Sequence, residues 1–218
     1  MKKAVSVLMW IMFFAPAVLL AVVWNRLPDI IPMQYGLDGE VNRYGSKTEL
    51  VVVVAILTAV NIGVYLLMSN VHKIDPKRYA VENRDRMKRL GRIICIFITA
   101  ILCFIIYSSL NQSLKPKPQF ILVGVGLLFS FMGNYMFNIK PNYFAGFRLP
   151  WTLENEDNWR MTHNLAAKLW FGGGLLIALC ALLLPDRFAF ISFIAIMCVL
   201  VIVPSVYSYR MFRKSRKP

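Results

Sequence analysis

Six long apolar runs separated by polar segments organise this chain: Ala4–Trp24, Leu50–Met68, Ile93–Leu110, Phe120–Phe137, Leu169–Leu184 and Phe188–Tyr207. Roughly 20 mostly apolar residues cross a bilayer, so each run predicts a transmembrane helix. The fifth is the shortest, and Lys168 at its edge can snorkel its amine to the interface. All eleven acidic residues fall outside the runs. A charge at a helix centre costs roughly 2.5–3.5 kcal/mol on insertion, so their placement supports these boundaries. The predicted fold class is an all-α membrane protein of six transmembrane helices. Met1-Lys2-Lys3 and Ala15-Pro16-Ala17 imitate a signal peptide and its cleavage site. The apolar run continues through Val18–Trp24, however, so the segment is expected to stay as a span.

Composition agrees: the chain is 58% hydrophobic and 17% charged, with a mean hydropathy of +0.56. Its net charge of +14 could point to nucleic acid, but the distribution points elsewhere. Alternate polar segments hold 19 of the 25 Lys and Arg residues, against 6 in the others. Positive charge stays on the cytoplasmic side, so both termini are expected inside. The basic excess then orients the protein and meets anionic lipid headgroups, and no nucleic-acid partner is expected. The four cysteines, Cys95, Cys103, Cys180 and Cys198, all lie in apolar runs without a CxxC, which reads as small hydrophobes rather than a disulfide framework.

The chain divides into residues 1–70, two spans with an outer loop; 71–92, a basic cytoplasmic loop; and 93–218, a four-span region. In the outer loop, Pro32, Met33-Gln34-Tyr35 and Val41-Asn42-Arg43-Tyr44 flank turn chemistry at Gly36-Leu37-Asp38-Gly39, which predicts a small hairpin with Tyr35 and Tyr44 as interfacial anchors. In the basic loop, Asp75 is expected to cap a helix with Pro76 at its first position. Glu82–Arg86 and Asp85–Arg89 would be i,i+4 pairs on it. The loop serves topology and lipid contact, with a soluble docking partner as the alternative. The short connections Asn111–Gln119 and Pro185–Arg187 make spans three and four, and five and six, antiparallel neighbours. Gly124, Gly126, Gly133 and Gly172-Gly173-Gly174 read as close helix contacts, and Asn61, Asn134 and Asn138 as interhelical hydrogen-bonding residues.

Residues 134–163 are the least generic part of the chain. Lys140-Pro141 ends the fourth helix, and Gly146 permits a positive-φ turn. Pro150 keeps Leu149 extended, leaving Phe147-Arg148-Leu149 as a non-helical strip. Thr152 or Asn155 can cap a following helix, with Glu154, Glu156 and Asp157 in its first turn. Trp159, His163, Ala166 and Trp170 recur at helical spacing. That helix is expected to lie in the cytoplasmic interface and bend into span five. Arg148 can grip a carboxylate, a lipid phosphate or backbone carbonyls. Capping the carbonyl end of span four is the structural alternative. His163 has no HExxH or Cys/His cluster around it, so no metal site is expected.

The strip Gly146-Phe147-Arg148-Leu149-Pro150-Trp151-Thr152-Leu153, followed by Trp159 and His163 and preceded by Asn134, resembles the signature of the SdpI family of bacterial membrane immunity proteins. Leu149 stands where that pattern usually has threonine. Ile31-Pro32-Met33-Gln34-Tyr35-Gly36 through Gly39, Tyr44 and Lys47 resembles the domain of unknown function that precedes the signature, with Gln34 where histidine is common. The resemblance covers nearly the whole chain. It implies a multi-pass protein of the bacterial cell membrane that protects against a secreted, membrane-active peptide toxin. It also implies signalling of the toxin's presence to a cytoplasmic repressor. Pro32, Gln34, Tyr35, Gly36, Gly39, Tyr44 and Lys47 become the candidate ligand-binding set. No cofactor, catalytic residue or metal is implied. A small transporter or channel is the alternative: no Asp, Glu, Lys, Arg or His lies deep in a span, but Asn61, Asn134 and the glycine-rich spans could line a pore. No nucleophile–base pair supports an enzyme.

Overall fold

The computed structural model describes residues 2–36, 40–110 and 118–215. Among these, α1 (Lys2–Val23), a 3-10 turn (Trp24–Arg26), β1 (Ile30–Tyr35) and β2 (Val41–Ser46) are followed by α2 (Lys47–Ile74), α3 (Ala80–Leu110), α4 (Pro118–Met136), α5 (Pro150–Glu154), α6 (Glu156–Leu183) and α7 (Asp186–Ser215). Six helices are long and apolar enough to cross a membrane. They carry many large apolar side chains on their outer surfaces, such as Leu8, Ile11, Val22, Leu183 and Ile202. Lipid covers such residues at no cost, so exposure here is the mark of a bilayer solvent rather than of a defective core.

β1 and β2 form the antiparallel hairpin expected between α1 and α2, with Pro32 opposite Tyr44 and Tyr35 opposite Val41. Gly36 N–H donates to Glu40 O at 2.8 Å across the turn; Gly39 lies outside the described residues. Ile31 is fully buried and ties the hairpin to Leu27, Leu50, Val54 and Ile106. Ser46 then caps α2, accepting Glu49 N–H at 3.3 Å.

Two packing devices hold the bundle. The first is backbone approach between α4 and α6, where a Cβ on Gly126 would stand 2.6 Å from Gly174 O, and one on Gly133 2.9 Å from Ala167 O. Ser130 Oγ exploits that closeness by donating to Phe171 O at 2.9 Å. The second is hydrogen bonding by buried amides and rings. Asn61 Nδ2 donates to Thr99 Oγ1 at 3.0 Å and Cys95 O at 3.2 Å, so this candidate pore residue is closed inside the α2–α3 contact. Pro204 cannot donate to Leu200 O four residues earlier in α7; Trp170 Nε1 on α6 donates to that carbonyl instead, at 3.1 Å.

One expectation is corrected. Asp75 does not start a helix: it ends α2, and its carboxylate accepts Lys77 N–H at 3.0 Å in a local turn, so α3 begins only at Ala80. Pro76 holds Asp75 extended (ψ 118°), as a cap also requires, but the chain then closes a separate turn, Ala80 N–H to Lys77 O at 3.0 Å, before α3 starts. The helix expected before span five runs straight on into that span. Asn155, not Thr152, caps a single continuous α6, accepting Asn158 N–H at 2.9 Å. The helical run breaks only at Asn155, extended between the five-residue α5 and α6. The connection 111–117 lies outside the described residues.

Candidate functional site

At the end of the bundle opposite the hairpin, the segment between α4 and α6 folds back on itself. Asn142 is fully buried and organises its first half. Its Oδ1 accepts Phe144 N–H at 2.9 Å and Ala145 N–H at 2.7 Å, while its amide donates to Lys140 O and Ala145 O. Every polar atom of the side chain is thereby used to close a turn the backbone could not close alone.

Gly146 follows with φ +104°, and any Cβ there would collide with His163 Nε2. The bare α-carbon lets the strip lie against the imidazole. Phe147 N–H donates to His163 Nε2 at 3.0 Å. Nε2 is therefore unprotonated, which leaves Nδ1 to carry the hydrogen and donate to Trp159 O at 2.8 Å. Both ring nitrogens are committed to backbone, so His163 is a structural clamp. Trp159 stacks on it at 3.9 Å between ring centroids and donates its own Nε1–H to Ile139 O at 2.8 Å.

Thr152 is fully buried: its hydroxyl donates to Phe147 O at 2.6 Å and accepts Leu149 N–H at 3.0 Å, holding the extended strip against α5. Pro150 supplies the first residue of α5, where its missing N–H costs nothing. Trp151 leaves the strip for α7, donating to Ser208 Oγ at 2.9 Å and stacking on Phe212. Leu153 packs beside Trp159, and its carbonyl accepts Lys77 Nζ at 2.7 Å. Arg148 is exposed and donates Nη1 to Tyr143 O at 2.6 Å. One donor of its fork is thus spent on a loop carbonyl. Asn134 stands on an exposed part of α4 and takes no part in this network.

Residues that local sequence reasoning did not single out complete the brace. Asn83 on α3 exchanges two bonds with Lys140, accepting its N–H and donating to its carbonyl, each at 3.0 Å. Asn158 donates to Ser208 O at 3.0 Å and accepts from Thr162. Arg78 and Tyr79 both reach Glu156. Asn142 had a local signal, an Asn after Lys-Pro and before an aromatic turn. Asn83 had none, because its partner lies 57 residues away.

The hairpin residues form a different kind of site. Gln34 and Tyr44 are exposed, Pro32, Tyr35 and Gly36 half-buried. Burial, then the neighbouring Tyr44 phenol, hold the Tyr35 hydroxyl above its usual range, so it stays a neutral donor. Lys47 pairs with Asp29 at 3.1 Å and lies over the Trp24 ring. A second ion pair, Arg43–Glu49 at 2.8 Å, crosses from β2 to α2. A Cβ on Gly45 would stand 2.7 Å from Met33 Cγ, which explains a glycine at that register.

Six spans, an apolar lipid-facing surface, a hairpin at one end and a braced loop at the other define a polytopic helical membrane protein. The braced segment and the last spans, residues 138–208, match the SdpI/YfhL protein family, and residues 11–59 match a domain of unknown function, DUF1648. The chain is also similar to the immunity protein SdpI of Bacillus subtilis (strain 168), 21% identical over 216 residues that cover 98% of this chain and 97% of that one. The chain is thus similar to the SdpI family in its last third and to that immunity protein along nearly its whole length, and it is a multi-pass protein of the bacterial cell membrane. No solved structure matches it.

Proposed function

We propose that this protein is an integral membrane immunity protein that protects its cell against a secreted, membrane-active peptide toxin. The observation that carries the reading is the similarity to the Bacillus immunity protein along 98% of the chain. The two matched family segments include the hairpin and the braced loop, the two ordered features that a bundle of generic spans would not need. On this reading the charge distribution places both termini in the cytoplasm and the hairpin outside. The toxin is met at the hairpin and the adjoining helix ends, where Gln34 and Tyr44 are exposed. The loop around Arg148 and Trp151 braces the last three helices from inside. A cytoplasmic regulatory protein reading toxin occupancy would meet the chain at this face, where the remaining guanidinium donors of Arg148 are available.

The test is survival of a toxin-sensitive host expressing the chain, measured with membrane abundance. Wild type is expected to protect. Arg148→Lys keeps the charge and one bond to Tyr143 O, so abundance should hold, while protection falls because an ammonium lacks the planar fork. Protection undiminished in Arg148→Lys would show that any cation suffices there. Absence of protection by wild type, at normal abundance and against toxins of related strains, would overturn the immunity reading.

A further inference from the structure

A cleft of about 500 Å³ opens between the start of α1, the end of α2 and the start of α3, at the end of the bundle opposite the hairpin. Four cationic side chains line it: Arg84, Lys88, Arg89 and Arg92, all from α3. Asp85 is the only carboxylate among the lining residues. Arg84, Lys88 and Arg92 follow one another at i,i+4, so they stack on one helix face. Like charges at that spacing repel and weaken a helix. The repulsion is relieved when an anion sits beside them.

The opposite wall is made of hydroxyls. Ser6 on α1 and Tyr65 on α2 lie 3.4 Å apart, and Ser69 stands one turn beyond Tyr65. These groups donate to phosphate oxygens as readily as to one another. Behind the lining, the Tyr65 ring packs edge-on against Phe13 at 5.3 Å and Trp10 at 6.4 Å, which holds its hydroxyl in the wall of the cleft. Val5, exposed on α1, adds an apolar wall. Placing cations on the inner side of a membrane needs only a sign bias on a surface. It needs neither a hollow between three helices nor a wall of hydroxyls facing the cations.

We propose that this cleft binds the phosphodiester headgroup of an anionic phospholipid from the leaflet it faces, with the acyl chains running down the apolar surface of α1. The site is separate from the hairpin and from the braced loop and does not depend on the immunity reading. Clusters of basic side chains at a membrane surface attract such lipids, each contributing to affinity.

Purified full-length protein in neutral detergent tests this by thermal unfolding with added phosphatidylglycerol, phosphatidylcholine or inorganic phosphate. A ligand bound to the folded state alone raises Tm, by roughly 3 °C or more at saturating excess. Phosphatidylglycerol should give this shift and phosphatidylcholine should not. The double variant Arg84→Gln/Arg89→Gln should lose it, and so should Ser69→Leu, which fills the cleft without changing charge. Arg213→Gln/Lys214→Gln, at the far end of α7, removes the same charge elsewhere and should keep it. Equal loss in that control would overturn the site in favour of bulk surface charge. An equal shift with inorganic phosphate would overturn it in favour of a free-anion site. Should the double arginine variant fail to fold, an undiminished shift in Ser69→Leu is enough to overturn the proposal.

Discussion

Gly146 and His163 are fitted to each other: the glycine carries φ +104°, and any Cβ would strike the imidazole nitrogen that accepts Phe147 N–H. Gly146→Ala therefore meets backbone strain and a collision at one atom. Strain of this kind costs about 1–3 kcal/mol, before the clash displaces the ring. Membrane abundance and Tm of Gly146→Ala should both fall. Normal values would mean that the strip can move off His163.

Trp170→Phe removes one hydrogen bond and keeps an aromatic ring. Leu200 O, denied its helical donor by Pro204, would then be left unpaired within the spans. An orphaned buried acceptor costs about 1–3 kcal/mol. The variant should unfold at lower temperature, and adding Pro204→Ala, which restores the helical donor, should recover part of the loss. Failure of the second change to rescue would show that the indole acts by bulk alone.

Tyr44 is exposed on β2, opposite Pro32 in the hairpin. Tyr44→Ala should leave abundance unchanged and lower survival of a toxin-challenged host. Tyr35, half-buried, is expected to lose some abundance as well. Full survival with Tyr44→Ala would move toxin contact from the hairpin to the spans.

Orientation is open to direct labelling. In a cysteine-free background, Gln34→Cys on the hairpin should react with an impermeant thiol reagent in intact cells. Glu82→Cys, exposed at the start of α3, should react only after permeabilisation. Asn83 next to it is unsuitable, because it is buried in the latch to Lys140. The reverse pattern would place the hairpin in the cytoplasm.

The spans, the hairpin and the punctuation of the inner loop were legible in the sequence because each rests on local physics. Twenty apolar residues demand a helix in lipid, whatever lies elsewhere in the chain. Gly36 to Gly39 signalled the turn between Tyr35 and Val41, and Gly146 and Pro150 announced a positive φ and an extended strip. Asp75 was misread because Asp-Pro is compatible with a helix cap and with a turn, and the hydrogen bonds that form are those of a turn. The functions of the polar side chains were decided by tertiary structure alone. His163 became a clamp, Asn83 a latch and Trp170 the donor for a proline's missing bond, each through a partner 16 to 57 residues away. Hydrogen bonds reach about 3 Å in space regardless of distance along the chain. Composition and spacing therefore fixed which segments enter the membrane, and only the assembled bundle decided which atoms meet inside it.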